Sequence, residues 1–167
     1  MVEISTSILT VEKGNEAEIF FALEKAKTDY FHIDVMDGKF VEKDTYQKMI
    51  EYSSYIRRIS NLPMDIHLMV EDVKTAIEDF AGVEPNIITF HLESCKNKEE
   101  VMEYIRMIKE SGARVGISVK PNTPIEEIYE YLPYIHMCLI MTVEPGKGGQ
   151  TLITDMLDKI SKLKSYI

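Results

Sequence analysis

The sequence predicts an α/β fold built from repeated strand–helix units, and three observations support this prediction. Short apolar runs alternate with longer amphipathic runs along the whole chain, which is the pattern of parallel strands joined by crossover helices. The spacing between successive units is even, and no low-complexity linker interrupts it. Hydrophobic residues make up 45% of the 167 residues, which is enough for one domain with a substantial core.

The first half of the chain contains three strand–helix units. The second strand ends at Asp37-Gly38, a pair that favours a turn, and Pro63 precedes the third strand. Apolar residues recur every three or four positions in the intervening segments, which indicates helices. In chain order we predict a strand at 4–9, a helix at 15–27, a strand at 30–36, a helix at 45–59, a strand at 64–70 and a helix at 73–81.

The second half repeats the pattern three more times. Gly112 follows the fourth helix, and Pro124 suits the first turn of the fifth helix. A glycine-rich turn, residues 145–150, separates the sixth strand from the last helix. We predict a strand at 87–92, a helix at 98–109, a strand at 114–119, a helix at 125–131, a strand at 137–143 and a helix at 152–163.

The even spacing favours a (β/α)8 barrel of the TIM type over a doubly wound sheet. A complete barrel takes about 250 residues, with a minimum of about 200. We therefore expect residues 1–167 to form a single, incomplete barrel domain with six βα units, the last two units being missing. The first and sixth strands would then have open edges, which promote aggregation unless something covers them. We also expect the chain to form homo-oligomers.

Charge and cysteine content exclude several classes of function. The net charge of −9 argues against a nucleic-acid partner, whose phosphates need clustered Lys and Arg. It does not argue against a small phosphorylated metabolite held by backbone N–H groups. Cys95 and Cys138 form no CxxC pattern, so a reduced, cytoplasmic setting is expected. The N-terminus lacks signal-peptide features, and no apolar run is long enough to span a membrane.

Two predicted strands carry residues that can bind a metal. Alternate residues of a strand share one face, so His32 and Asp34 project to one side of the second strand. His67 shares a face of the third strand with Asp65. If these strands are neighbours, two imidazoles and a carboxylate converge, and they can hold one divalent ion with positions open for substrate. The alternative is that His32, Asp34 and His67 are hydrogen-bonded core residues without a metal. For Asp37 we favour a local role in the turn.

Asp34 can also take part in catalysis. A carboxylate beside a Lewis acid can remove a proton next to a carbonyl, while the metal stabilises the enediolate oxygen. This chemistry suits a ketose phosphate. Inversion of configuration needs a second acid on the opposite face of the substrate, and that residue has to come from elsewhere.

Further candidates for substrate binding lie at predicted strand ends. The turn that contains Gly146, Gly148 and Gly149 is either a plain tight turn or a phosphate cradle of backbone N–H groups before a helix. Ser7 has a structural role or contacts a substrate hydroxyl. Met36, Met69 and Met141 fill the core or line the reacting carbons. For His91 and Glu93 we favour packing and hydrogen bonding, and for Lys120 a solvent-facing loop.

Five segments in this order resemble the ribulose-phosphate 3-epimerase family, and they span nearly the whole chain. They are residues 7–9 (SIL), 30–41 (YFHIDVMDGKFV), 65–70 (DIHLMV), 91–93 (HLE) and 141–150 (MTVEPGKGGQ). Related decarboxylases carry Asp-x-Lys-x-x-Asp on the third strand, whereas His67 and Val70 stand here. The segments therefore favour the metal-dependent epimerases.

The resemblance implies a TIM barrel that epimerises a ketose 5-phosphate at C3, in the pentose phosphate pathway. It implies one divalent metal ion (Zn, Fe, Mn or Co) held by His32, Asp34 and His67, with Asp34 also as acid/base. It implies substrate contacts from Ser7, His67, the three methionines and the glycine turn. The family's fourth ligand and second acid lie on a seventh strand that residues 1–167 do not include, so we expect little or no turnover from this chain alone.

Two alternatives stay open. The allulose-6-phosphate 3-epimerases are similar through residues 30–38 and 156–159, which leaves a six-carbon substrate possible. The chain can instead be a non-catalytic interaction module that pairs through open strand edges.

Departures from the family pattern lie near the expected substrate: Glu42-Lys43 replaces the usual Pro-Asn, and Lys147 replaces a Phe.

Overall fold

The computed structural model describes residues 2–167. Within this range six parallel strands form one sheet in the order β1 to β6. The arrangement is a half-barrel of TIM-barrel type, which confirms the predicted fold class. The strands are β1 (Ser5–Ser7), β2 (Tyr30–Met36), β3 (Met64–Met69), β4 (Ile87–His91), β5 (Arg114–Val119) and β6 (Met137–Ile140).

Five α-helices and two 3-10 helices connect these strands in the described part of the chain. Asp72 and Asn97 cap two of the α-helices by accepting hydrogen bonds from backbone N–H groups. The α-helices are α1 (Glu16–Lys25), α2 (Tyr46–Ile59), α3 (Val73–Ala81), α4 (Lys98–Glu110) and α5 (Met156–Tyr166). The 3-10 helices span Leu92–Ser94 and Ile125–Tyr134.

The two faces of the sheet differ in chemistry. On β2, Phe31, Ile33 and Val35 are fully buried and alternate with His32 and Asp34. Phe31 lies 5.6 Å from the ring of Phe20 on α1, so the apolar face of β2 contacts the helices. Burial of such side chains stabilises the fold by about 1.5–3 kcal/mol each. The polar residues therefore lie on the opposite, interior face of the half-barrel.

Several predicted boundaries are wrong at the ends of the chain. The strand predicted at 4–9 is only Ser5–Ser7, because the Leu9 amide turns back to the Ser7 hydroxyl. The strand predicted at 137–143 ends at Ile140, and the last helix begins at Met156 rather than at 152. The Ile153 amide donates to the Thr142 carbonyl, which ties the segment before α5 to the residues that follow β6.

The segment predicted as a helix at 125–131 is a 3-10 helix that continues to Tyr134. Pro133 lies inside it and has no N–H to donate to a helical hydrogen bond. This segment therefore lacks the hydrogen bond that residue 133 would otherwise donate.

Candidate metal and substrate site

Adjacent strands bring the two predicted histidines and the aspartate together. In the β2–β3 register Asp34 pairs with His67, and His32 pairs with Asp65. The Asp34 Oδ1 atom lies 3.2 Å from His32 Nε2 and 3.4 Å from His67 Nδ1. One ligand atom from each residue lies within 4.8 Å of the others. These three residues, the triad, can hold one metal ion.

Hydrogen bonds orient the Asp34 carboxylate. Its Oδ2 accepts from Ser7 Oγ at 2.5 Å, which leaves Oδ1 facing the imidazoles. The backbone beside it is also held, because Thr45 Oγ1 donates to the Asp34 carbonyl at 2.7 Å and accepts from the Met36 amide at 3.1 Å. The carboxylate therefore has a fixed position at the junction of three strands.

Each histidine of the triad has a partner for its second ring nitrogen. His32 Nδ1 lies 2.8 Å from Asp65 Oδ2, which also accepts from Ser5 Oγ at 3.0 Å. His67 Nε2 lies 3.0 Å from His91 Nε2. Such outer contacts are typical of metal-binding histidines, because they fix the ring and its tautomer.

Burial and charge shift the pKa values of the triad in different directions. Burial opposes charge on His32, but Asp34 and Asp65 outweigh it and raise the pKa of His32 to about 10. Burial also opposes the Asp34 charge, yet the two imidazoles beside it, His32 above all, hold its pKa well below the ordinary value. Burial lowers the pKa of His67. Without a metal the triad thus carries an ionised Asp34, a charged His32 and a neutral His67, and a bound cation would take the place of the His32 proton.

Beyond the triad, His91 and Glu93 extend the hydrogen bonding. His91 Nδ1 lies 3.1 Å from Glu93 Oε2. Glu93 Oε1 accepts from the Lys120 amide at 2.7 Å and from the Thr123 hydroxyl. Burial opposes the Glu93 charge, but these donors lower its pKa to about 2. Burial lowers the pKa of His91 to about 4. The expected hydrogen-bonding role is present, although Glu93 lies in a 3-10 helix and not on β4.

The loop after β2 covers this hydrogen-bonded chain. Asp37 Oδ1 accepts from the amides of Lys39 and Phe40, both at 2.9 Å, and its Oδ2 accepts from the Glu71 amide, which confirms the turn role. The Phe40 ring lies 4.9 Å from that of His91. Lys120 Nζ lies 3.8 Å from the centre of the Phe40 ring, so its ammonium group packs on this loop and does not simply face solvent.

A cleft of about 760 Å³ opens beside Phe40, and this volume is within the usual range for small-ligand sites. The loop after β2, Lys120 and the glycine turn form its walls. The lining residues are Phe40, Val41, Glu42, Lys43, Lys120, Glu144, Pro145, Gly146, Lys147 and Gln150.

The glycine turn lies close to two other loops. Gly146 has φ +104°, and a Cβ there would lie 2.9 Å from the Val41 Cβ, so only glycine fits. A Cβ on Gly148 would lie 4.0 Å from a methyl carbon of Leu9. The amides of Gly146, Gly148 and Gly149 donate no hydrogen bond within residues 2–167. The turn precedes α5 by several residues, so these amides do not belong to the helix N-terminus that was predicted beside them.

The three methionines occupy different environments. Met36 and Met69 pair in register at the ends of β2 and β3, and both are almost fully buried. Met141 follows β6 and is half-buried, with its amide bonded to the Val119 carbonyl. Their position at the strand ends agrees with the prediction, and their contact with substrate stays a prediction.

Sequence reasoning missed the role of Asp65. Its spacing two residues before His67 places both on one face of β3, and this signal was present. What the sequence lacks is the register that sets Asp65 opposite His32.

Comparisons with known proteins agree on one family. The profile described as "Ribulose-phosphate 3 epimerase family" matches residues 3–167. The ribulose-phosphate 3-epimerase of Methanocaldococcus jannaschii is 38% identical over 167 residues, which are 100% of this chain and 68% of that protein. The ribulose-phosphate 3-epimerase of Bacillus subtilis is 36% identical, and the match covers 98% of this chain and 73% of that protein.

Solved structures support the fold alone. An enolase protein from environmental shotgun sequencing of the Sargasso Sea aligns with a TM-score of 0.58 at 11% identity, over 84% of this chain and 37% of its own. A protein from Thermus thermophilus aligns with a TM-score of 0.50 at 12% identity, over 82% of this chain and 65% of its own.

In residues 2–167 no helix combines the length and apolar character that crossing a bilayer requires.

Proposed function

The chain belongs to the ribulose-phosphate 3-epimerase family, and on that premise we propose that it acts on D-ribulose 5-phosphate and D-xylulose 5-phosphate by removing and returning the proton at C3. The observation that carries the proposal is the Asp34 carboxylate, held between His32, His67 and Ser7. A proton acceptor fixed beside a cation site is what enolisation of a ketose phosphate requires.

The residues of the triad fit a divalent metal ion. Two imidazole nitrogens and one carboxylate oxygen form a donor set that Zn, Fe, Mn and Co accept. Asp65 and His91 occupy the second nitrogens of the two histidines, so Nε2 of His32 and Nδ1 of His67 are the atoms that face Asp34. When bound, the metal would stabilise negative charge on the enediolate oxygen of the substrate.

Asp34 is the carboxylate that can move the C3 proton. The other two carboxylates lie outside the triad, because Asp65 contacts His32 Nδ1 and Glu93 contacts His91 Nδ1. The short hydrogen bond from Ser7 holds Asp34 Oδ2 in place. Inversion at C3 also needs an acid on the opposite face, so proton removal and full epimerisation are separate steps that can be measured separately.

We propose that the substrate phosphate binds at the glycine turn. The amides of Gly146, Gly148 and Gly149 are unpaired within the described chain, and backbone N–H groups in glycine-rich turns bind anions. The adjacent cleft can hold a sugar phosphate. On this proposal Met36, Met69 and Met141 form the apolar lining beside the reacting carbons.

The test is proton exchange at C3. The protein is incubated in D2O with ribulose 5-phosphate and Zn²⁺, Mn²⁺, Fe²⁺ or Co²⁺, and NMR follows loss of the C3 proton and formation of xylulose 5-phosphate. We expect metal-dependent exchange that Asp34→Asn abolishes. Exchange equal in wild type and Asp34→Asn, or none in the metal-loaded wild type, would overturn the proposal. Allulose 6-phosphate in a parallel assay tests the six-carbon alternative.

Two further expectations belong to this proposal. Cys95 and Cys138 are free thiols, which supports a reducing, cytoplasmic setting. The outer edges of β1 and β6 have no strand partner within residues 2–167, which supports self-association. Light scattering measures the oligomeric state, and a monodisperse monomer would contradict the homo-oligomer.

A further inference from the structure

A continuous hydrogen-bonded chain of three side chains begins at His67 of the triad and leads away from it. His67 Nε2 meets His91 Nε2 at 3.0 Å, and His91 Nδ1 meets Glu93 Oε2 at 3.1 Å. His67 and His91 are almost completely buried, and their rings stack with centroids 5.0 Å apart. Neither His91 nor Glu93 belongs to the triad. We propose that Glu93 and His91 are positioning residues that set the tautomer of His67 and so direct its Nδ1 lone pair at the cation site.

The positions of the protons follow from counting donors and acceptors. Two nitrogens 3.0 Å apart share one proton, because two N–H groups or two lone pairs facing each other repel. An ionised carboxylate only accepts hydrogen bonds, so Glu93 requires the proton of His91 on Nδ1. The Nε2 atom of neutral His91 is then an acceptor. His67 must donate through Nε2–H, and its Nδ1 is left free of a proton.

The Glu93 end of the hydrogen-bonded chain is fixed as well. Glu93 Oε1 accepts from the Lys120 amide and the Thr123 hydroxyl, so the carboxylate cannot rotate without losing both donors. The Phe40 ring covers His91 from the side of the loop. Buried polar chains of this kind are rigid when every member is satisfied. The orientation of the His67 ring, which faces the cation site, is thus set by the Glu93 carboxylate two hydrogen bonds away.

Glu93→Gln is the sharpest variant. The two donors at Lys120 and Thr123 attract the amide oxygen of Gln, so its NH2 group faces His91 Nδ1 and requires an acceptor there. His91 then carries its proton on Nε2 and donates to His67 Nε2. The proton of His67 moves to Nδ1, where it blocks coordination. Replacing one carboxylate oxygen of Glu93 by an amide NH2 group therefore reverses the tautomers of both His91 and His67.

The experiment measures metal affinity and tautomer, which do not depend on turnover. Zn²⁺ titration by calorimetry should show affinity reduced by roughly 10- to 100-fold in Glu93→Gln, the usual effect of changing an outer contact. In the metal-free protein, long-range ¹H–¹⁵N NMR should show His67 protonated at Nε2 in wild type and at Nδ1 in the variant. Glu130→Gln is the matched control, because Glu130 pairs with exposed Lys98 and should leave both readouts unchanged.

The outcomes separate this inference from the proposed function on which it rests. Wild-type His67 protonated at Nδ1 would overturn it, even if Glu93→Gln fails to fold. A folded Glu93→Gln protein with wild-type Zn²⁺ affinity would also overturn it. A chain that binds Zn²⁺ with the expected tautomer but does not exchange the C3 proton would contradict the proposed function and support the positioning role.

Discussion

Ser7 Oγ donates a 2.5 Å hydrogen bond to Asp34 Oδ2, so β1 orients the carboxylate that β2 supplies. A hydrogen bond to a charged group contributes about 1.5–3 kcal/mol, and its loss lets the carboxylate rotate. We expect Ser7→Ala to lower both the free energy of unfolding and the affinity for Zn²⁺. Urea unfolding and calorimetry measure these effects. Thr6→Val is the control, since Thr6 bonds to Thr28 instead; equal loss of Zn²⁺ affinity in both variants would contradict the role of Ser7.

Asp65 should hold the His32 ring in the orientation that directs Nε2 at the cation site. Its Oδ2 lies 2.8 Å from His32 Nδ1, which leaves Nε2 for the metal. We expect Asp65→Asn to weaken Zn²⁺ binding by roughly 10- to 100-fold, measured by competition with a chelating dye. Asp29→Asn is a suitable control, because Asp29 accepts from the exposed Ile4 amide away from the site. Wild-type affinity in Asp65→Asn would show that this contact is dispensable.

Glu93 should make the fold sensitive to acid. Its pKa of about 2 is below the ordinary value of 4.5, so the native state favours the ionised form. The stabilisation is fully present above pH 4.5 and is lost as the pH falls toward 2; it amounts to about 3 kcal/mol at most. Urea unfolding should therefore separate wild type from Glu93→Gln clearly at about pH 7 and less at about pH 3. A difference that is constant across this range would be inconsistent with the lowered pKa.

Gly116 on β5 should be intolerant of any side chain. A Cβ there would lie 2.2 Å from Thr89 Oγ1 and 3.0 Å from Thr89 Cβ, and Thr89 is fully buried. We expect Gly116→Ala to lower the free energy of unfolding by about 1–3 kcal/mol or more, measured by thermal or urea unfolding. Gly82→Ala is the control, because nothing lies within 4 Å of its added Cβ. Equal stability of the two variants would contradict the close approach of Gly116 to Thr89.

The sequence predicted best the elements with a regular apolar period, two residues in the strands and three to four in the helix. The bounds of β2, α3 and β5 agree with their apolar patterns to the residue, and the His32, Asp34 and His67 cluster follows from period-two spacing on neighbouring strands. This cluster could be predicted because consecutive parallel strands usually lie next to each other in the sheet, which places β2 beside β3.

Other features depend on contacts that local patterns do not encode. The segment before α5 is bonded to the residues after β6 through the Ile153 amide and the Thr142 carbonyl, a contact that the local apolar pattern does not show. The partnership of Asp65 with His32 depends on the β2–β3 register. The contacts of Glu93 with the Lys120 amide and the Thr123 hydroxyl join segments about 30 residues apart in sequence, and no local pattern encodes them.

We expect His32, Asp34 and His67 to bind one metal ion together. Anomalous X-ray diffraction from a crystal soaked in Zn²⁺ tests it most directly. We predict a single strong peak bounded by His32 Nε2, Asp34 Oδ1 and His67 Nδ1. A peak elsewhere, or none at saturating Zn²⁺, would contradict it.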